Sequence, residues 1–104
     1  MKDIDKSKDE FKERVLRWAD RLKVPVVSVS FRRMKTKWAS YSTTGRLTFD
    51  LKLLELEPKL QDYVIVHELL HYHVPNHGRV WKSLMTVYLG DYKRLEGMIN
   101  GDID

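Results

Sequence analysis

The residues of this sequence that could do chemistry together are three histidines and a glutamate. His67 and Glu68 are followed by Leu69, Leu70 and His71, and His77 comes shortly after. On a helix, His67 and His71 stand one turn apart on the same face, a spacing at which two imidazoles can grip one metal ion. Glu68 projects beside that face, where a carboxylate can take a proton from a water that the metal activates. Val74 and Pro75 then break the helix, because proline cannot continue it. The break lets His77 fold back as a third ligand. Three histidines around a tetrahedral Zn2+ leave one position open, which separates a catalytic site from a closed structural one.

A bare H-E-x-x-H also occurs in proteins without metal, and a lone histidine is more often a core or surface residue. Two features favour the metal. Leu60, Tyr63, Val64, Ile65, Val66, Leu69 and Leu70 make the helix apolar nearly all round, which predicts burial. Buried histidines and a buried glutamate are costly unless something pairs with them, and a metal does. The histidines also fall at +0, +4 and +10, the spacing of H-E-x-x-H-x-x-G-x-x-H zinc sites, with Val74 where that pattern has glycine. His73, two residues past His71, lies off the ligand face and is read as a non-ligand.

These residues must be held by a small fold. The chain has 104 residues, 42% hydrophobic, enough for one domain over 1–104 with a modest core, and bound zinc would help to stabilise it. The ends, 1–6 and 100–104, are expected to be loose. There is no cysteine, so a disulfide framework and a thiolate metal site are both excluded. The charged start carries no signal-peptide pattern and no stretch approaches membrane-spanning length, so a soluble, cytoplasmic protein without a membrane partner is expected.

The pattern of elements predicts an α+β fold. Ser7 and Glu10 form a capping-box pattern for a helix over 8–22, with Phe11, Val15, Trp18 and Leu22 as its apolar stripe. Strands are predicted over 26–31, 35–42 and 46–50, the last two as a hairpin turning at Gly45. Asp50 caps a short helix over 51–57, and Pro58 opens the helix that carries the histidines to about residue 73. Asn76 is expected to cap a helix over 77–89 whose apolar face includes Val80, Trp81, Leu84, Val87 and Tyr88. Gly90 ends it, and 91–99 forms a last helix.

Net charge is +4 and uneven: residues 1–50 carry 13 basic and 7 acidic side chains, and 51–104 carry 6 and 8. Arg32, Arg33, Lys35 and Lys37 precede Trp38, a combination that a nucleic-acid or substrate surface could use. For so modest a net charge, a solvated strand and turn is the preferred reading.

Three stretches carry a resemblance: KTKWASYSTTGRLTFDLKLL, DYVIVHELLHYHVPNHGRVW and GDYK, with Trp18–Leu22 upstream. Over about residues 8–98 the chain resembles the YgjP-like zinc metallopeptidase family, which is related to the SprT-type and WSS-type proteases that digest proteins crosslinked to DNA. The resemblance implies a minimal zincin-like domain, with a small antiparallel sheet of about three strands packed against helices. It also implies His67, His71 and His77 as zinc ligands and Glu68 as the catalytic residue. One departure is visible: the family's hairpin typically reads W-G-S-C-S, and here it is Trp38-Ala39-Ser40-Tyr41-Ser42. That change bears on substrate choice, not on the ligands.

The expected function is therefore zinc-dependent hydrolysis of peptide bonds, with Glu68 as general base and a protein or peptide as substrate. Arg79, Tyr72 and Tyr88 are candidates for a second oxyanion donor, and the hairpin strand could pair with an extended substrate. The rival expectations are a DNA-associated module acting on DNA-bound proteins, and a zinc-stabilised scaffold without turnover. An open zinc position beside a base argues against the scaffold.

Overall fold

The structure, a computed structural model, describes residues 3–99. Expectations for residues 1, 2 and 100–104 lie outside the described residues. The chain runs through α1 (Ile4–Leu22), β1 (Ser28–Arg32), β2 (Ala39–Tyr41), β3 (Arg46–Asp50), a 3-10 turn (Leu51–Glu55), α2 (Pro58–Leu70), α3 (Arg79–Leu89) and α4 (Tyr92–Ile99). This is the expected α+β class.

α1 begins earlier than its Ser7 pattern suggests. The Asp3 carboxylate accepts from the N–H groups of Asp5 and Lys6 at 3.0 and 3.2 Å, so Asp3 is the cap and residues from Ile4 on are helical, not loose. Phe11, Val15 and Leu22 are buried as expected, and Ala19 completes the stripe. Trp18 stays half-exposed because its indole N–H donates to Asp62 Oδ1 at 2.9 Å, an oxygen that also accepts from Arg14 at 2.9 Å. That cluster ties α1 to α2.

The sheet has the expected three strands but is mixed, not antiparallel. Its order is β1-β3-β2; β2 and β3 form the antiparallel hairpin, while β1 runs parallel to β3 on its other side. Once the hairpin occupies one side of β3, the other side is open to β1. The chain between β1 and β2 then passes β3 instead of turning back on itself. Gly45 makes the turn with φ +85° and sits so close to the 25–27 stretch that a Cβ there would stand 3.1 Å from Val27. β2 is shorter than predicted, with 35–38 outside the ladder. The Asp50 cap forms as expected, its carboxylate accepting from Lys52 N–H at 2.9 Å.

α2 is the centre of the fold and packs against α1, α3, α4 and β2. All seven apolar residues predicted to surround it, from Leu60 to Leu70, are buried. A helix covered by that many neighbours has little exposed face: Asp62 bonds to α1, Gln61 bonds to the Leu53 and Leu56 carbonyls, and His67 and Glu68 face the opening that remains. α3 differs from expectation on one face: Val80 and Val87 are 60% and 73% exposed, and Met85 is buried beside Trp81. The stripe is therefore Trp81, Leu84, Met85 and Tyr88, with Trp81 and Tyr88 each one residue, about 100°, around the helix from the exposed valines.

Candidate active site

The opening left beside α2 is a cavity of about 840 Å³, and His67, Glu68, His71 and His77 all line it. α2 supplies His67 and Glu68 within its last turns, and His71 sits at its C-terminal cap with φ −64° and ψ −18°, still close to helical. The helical offset therefore survives to His71 although the helix ends at Leu70. Past it, the N–H groups of His71, Tyr72 and His73 return to carbonyls three residues back, a tightening that turns the chain toward Pro75.

The turn brings His77 back. Contrary to the sequence expectation, Asn76 does not cap the helix; its side-chain oxygen accepts from Gly78 N–H at 2.9 Å, and Gly78 is the cap of α3. A Cβ at residue 78 would lie 2.7 Å from that oxygen, so a larger residue there would push the Asn76 side chain out of this hydrogen bond. His77 Nε2 ends 2.9 Å from His71 Nε2. One ligand atom from each of His67, His71 and His77 falls within 4.8 Å of the others. These three could hold one metal ion.

The donor set fits such an ion. The backbone carbonyl of Val74 can only accept, so His71 Nδ1, 3.2 Å away, carries its proton there and Nε2 keeps its lone pair. Three imidazole nitrogens with no thiolate and no carboxylate suit zinc among the common divalent ions. Trp81, 2% exposed, backs all three rings, with centroids 5.2, 6.3 and 4.6 Å from those of His67, His71 and His77. His73 stays out of the cluster, because its Nε2 donates to the Leu22 carbonyl at 2.7 Å.

Burial tunes the titrating groups. It holds His67 down at about 4, helped by His71 and His77, and lowers His71 as well, so both are neutral lone-pair donors at neutral pH. It pushes the Glu68 carboxyl up to about 7, against the opposing pull of Lys37 and of the Tyr41 backbone N–H. That N–H belongs to β2, so the hairpin lies directly against the glutamate.

The basic stretch fares differently. Trp38 is 6% exposed and offers no aromatic platform, since its ring packs into the core beside Ala39. Lys37 lines the histidine cavity, while Arg33 and Lys35 line a separate groove with Ile4 and Leu51. Arg32 closes β1 opposite Asp50. The five residues therefore do not form one surface, and DNA contact gains no support from them. None of the three oxyanion candidates lines the cavity: Tyr88 packs edge-on to Trp18, Tyr72 edge-on to Tyr41, and Arg79 lies in an adjoining depression. Sequence reasoning missed Tyr63, Tyr92, Lys93 and Glu96, which do line it. Tyr63 donates to Glu96 at 3.1 Å, and burial raises its phenol well above the usual range.

A helix bearing paired histidines and a glutamate against a sheet, with a third histidine folded back, is the arrangement of a metallopeptidase, and comparison with known proteins agrees. Residues 4–100 match the YgjP-like metallopeptidase domain, and the chain belongs to that family. Membership implies a divalent metal and protein or peptide substrates. Among solved structures, the metallopeptidase zymogen abylysin of Pyrococcus abyssi is similar with a TM-score of 0.73 and 26% identity, over 88% of this chain and 92% of that one. The metallopeptidase zymogen jannalysin of Methanocaldococcus jannaschii shares the fold, with a TM-score of 0.64 and 24% identity over 95% of each chain. No curated protein matches the chain. Among the described residues no helix is long and apolar enough to cross a membrane.

Proposed function

We propose that the chain is a zinc-dependent endopeptidase in which His67, His71 and His77 hold the ion and Glu68 moves the proton. The observation that carries this is the convergence of three imidazole nitrogens within 4.8 Å on the wall of a cavity that the half-buried Glu68 also lines. Bound there, zinc would supply a Lewis acid that polarises the scissile carbonyl and lowers the pKa of a water to about 7. Glu68 takes the proton of the attacking water on its carboxylate and returns it to the leaving amine. Lys37, on the hairpin side of the cavity, stabilises the charged carboxylate before the proton arrives.

An extended substrate can lie along β2. Trp38 and Ser42 bond through the backbone to Asp50 and Arg46 of β3, so by alternation Ala39 and Tyr41 turn their main-chain groups to the free edge. The Tyr41 N–H reaches Glu68, and the remaining edge groups are available for strand addition. Main-chain pairing of this kind binds many sequences and leaves selectivity to the cavity walls.

The test is metal content together with hydrolysis of a denatured protein by material purified without a metal-affinity tag. About one zinc per chain and cleavage abolished by a chelator are expected for a three-ligand catalytic site. A chain that takes up no zinc, or that cleaves equally well with chelator, contradicts the proposal.

A further inference from the structure

The cavity continues past the histidines. Lys82, Tyr92 and Lys93 line it and also line an adjoining depression of about 400 Å³, together with Arg79, Ser83 and Thr86. The first cavity has Lys37 on its β2 side and Lys82 and Lys93 on its α3–α4 side; the depression adds Arg79 and contains no carboxylate. Two carboxylates face these cations, and each already accepts a hydrogen bond from a neutral donor. Glu68 accepts the Tyr41 N–H, and Glu96 accepts the Tyr63 hydroxyl at 3.1 Å. Among the described residues the one salt bridge is Arg14–Asp62, so no described acidic side chain is in ion-pair contact with Arg79, Lys82 or Lys93.

We propose that this surface selects acidic polypeptide: substrates with Asp or Glu on the side of the scissile bond that lies along α3 and α4. The proposal rests on the peptidase reading above and names its substrate class. Three cations along one wall of a cleft set up a positive potential that the low-dielectric walls focus. A substrate carboxylate placed there gains charge-assisted hydrogen bonds, and a lysine or arginine meets like charge. Single-stranded nucleic acid is the other polyanion to consider. It binds by stacking bases on exposed aromatic faces; of the cavity's Trp and Tyr rings, Trp38, Tyr63, Trp81 and Tyr92 are buried, and Tyr41 is only partly exposed, with its hydroxyl donating to the Pro25 carbonyl and its ring edge-on to Tyr72. The continuity of the basic wall with the site of hydrolysis also favours a peptide.

Two quenched fluorescent peptides that share one cleavable core, flanked by Asp and Glu or by Lys and Arg, test this. At low ionic strength kcat/KM is expected to be at least about tenfold higher for the acidic peptide, falling toward parity as salt screens the wall. The double variant Lys82→Glu, Lys93→Glu should invert the order, and Lys82→Gln, Lys93→Gln should level it, with zinc content unchanged in both. Binding of the two peptides to Glu68→Gln, followed by fluorescence anisotropy, should show the same preference without turnover. Equal rates and equal binding for both peptides overturn the proposal, as does a preference that survives charge reversal. So does inhibition by a single-stranded oligonucleotide without any acidic preference. Failure of every peptide to be cleaved, with the binding preference intact, would count against the peptidase reading and not against this one.

Discussion

His67, His71 and His77 finish with ligand atoms within 4.8 Å of one another, whereas Arg32, Arg33, Lys35, Lys37 and Trp38, a shorter stretch of chain, finish on separate parts of the molecule. Both groups look like functional clusters in sequence. The difference is the element that carries them. A helix fixes the angle between residues four apart whatever surrounds it, so two histidines at that spacing share a face by geometry alone. A bend between strands fixes nothing of the kind, and each side chain goes where packing sends it. Trp38 shows the result most plainly, because a large apolar ring in a small domain is worth more in the core than on a surface.

The largest effect expected on the histidine side of this comparison is from His77→Ala. Its ring is the one held by a loop and not by α2, so its loss should weaken zinc affinity by more than about 100-fold, beyond the usual cost of removing a supporting contact. Titration against a competing chelator measures it, and an unchanged affinity would place the third ligand elsewhere. Next is Trp81→Ala. The ring fills the space behind all three imidazoles, and its removal should cost about 3–5 kcal/mol of stability, read by denaturant unfolding.

A smaller effect has a definite sign with pH. Glu68 holds its proton more tightly in the fold, at about 7, than its ordinary 4.5. Its contribution to stability is thus present below about 4.5 and lost as pH rises through about 7. The ionised carboxylate is a burden on the metal-free fold, so metal-free Glu68→Gln should be more stable than the parent at about pH 8. The gain is at most about 3 kcal/mol, since the rise from 4.5 to about 7 is between two and three tenfold steps in proton affinity, each worth about 1.4 kcal/mol. His67 works the other way. Its contribution is present above its ordinary 6.5 and is lost as pH falls through about 4, so the metal-free protein should weaken in acid. Thermal melts of chelated protein across this range check both signs. The smallest change is expected from Arg32→Ala and Arg33→Ala. Both side chains are exposed and distant from the histidines, so stability should stay within about 0.5 kcal/mol and peptide cleavage should not change.

What could be read in the sequence follows the same division. The buried surround of α2, the Asp50 cap, the Gly45 turn and the break at Pro75 are local signals, and each appears in the fold. The parallel pairing of β1 with β3 was not legible, because alternation marks a strand without naming its neighbour. The Asp3 cap outcompeted Ser7 although both are good capping residues, a choice that local pattern alone does not settle. Lys93 and Glu96 reach the cavity from α4, and no spacing rule links them to the histidines. Tyr72, Tyr88 and Arg79 were drawn from residue type alone, and the fold turns each of them elsewhere.

The central claim is that Glu68 moves the proton while the three histidines hold the ion. It is tested most directly by comparing cleavage of one protein substrate by the parent and by Glu68→Gln, each loaded to the same zinc content. Loss of at least about 100-fold in rate, with metal retained, is expected for a general base. Equal cleavage by the two proteins would contradict it and assign the proton transfer to another group in the cavity.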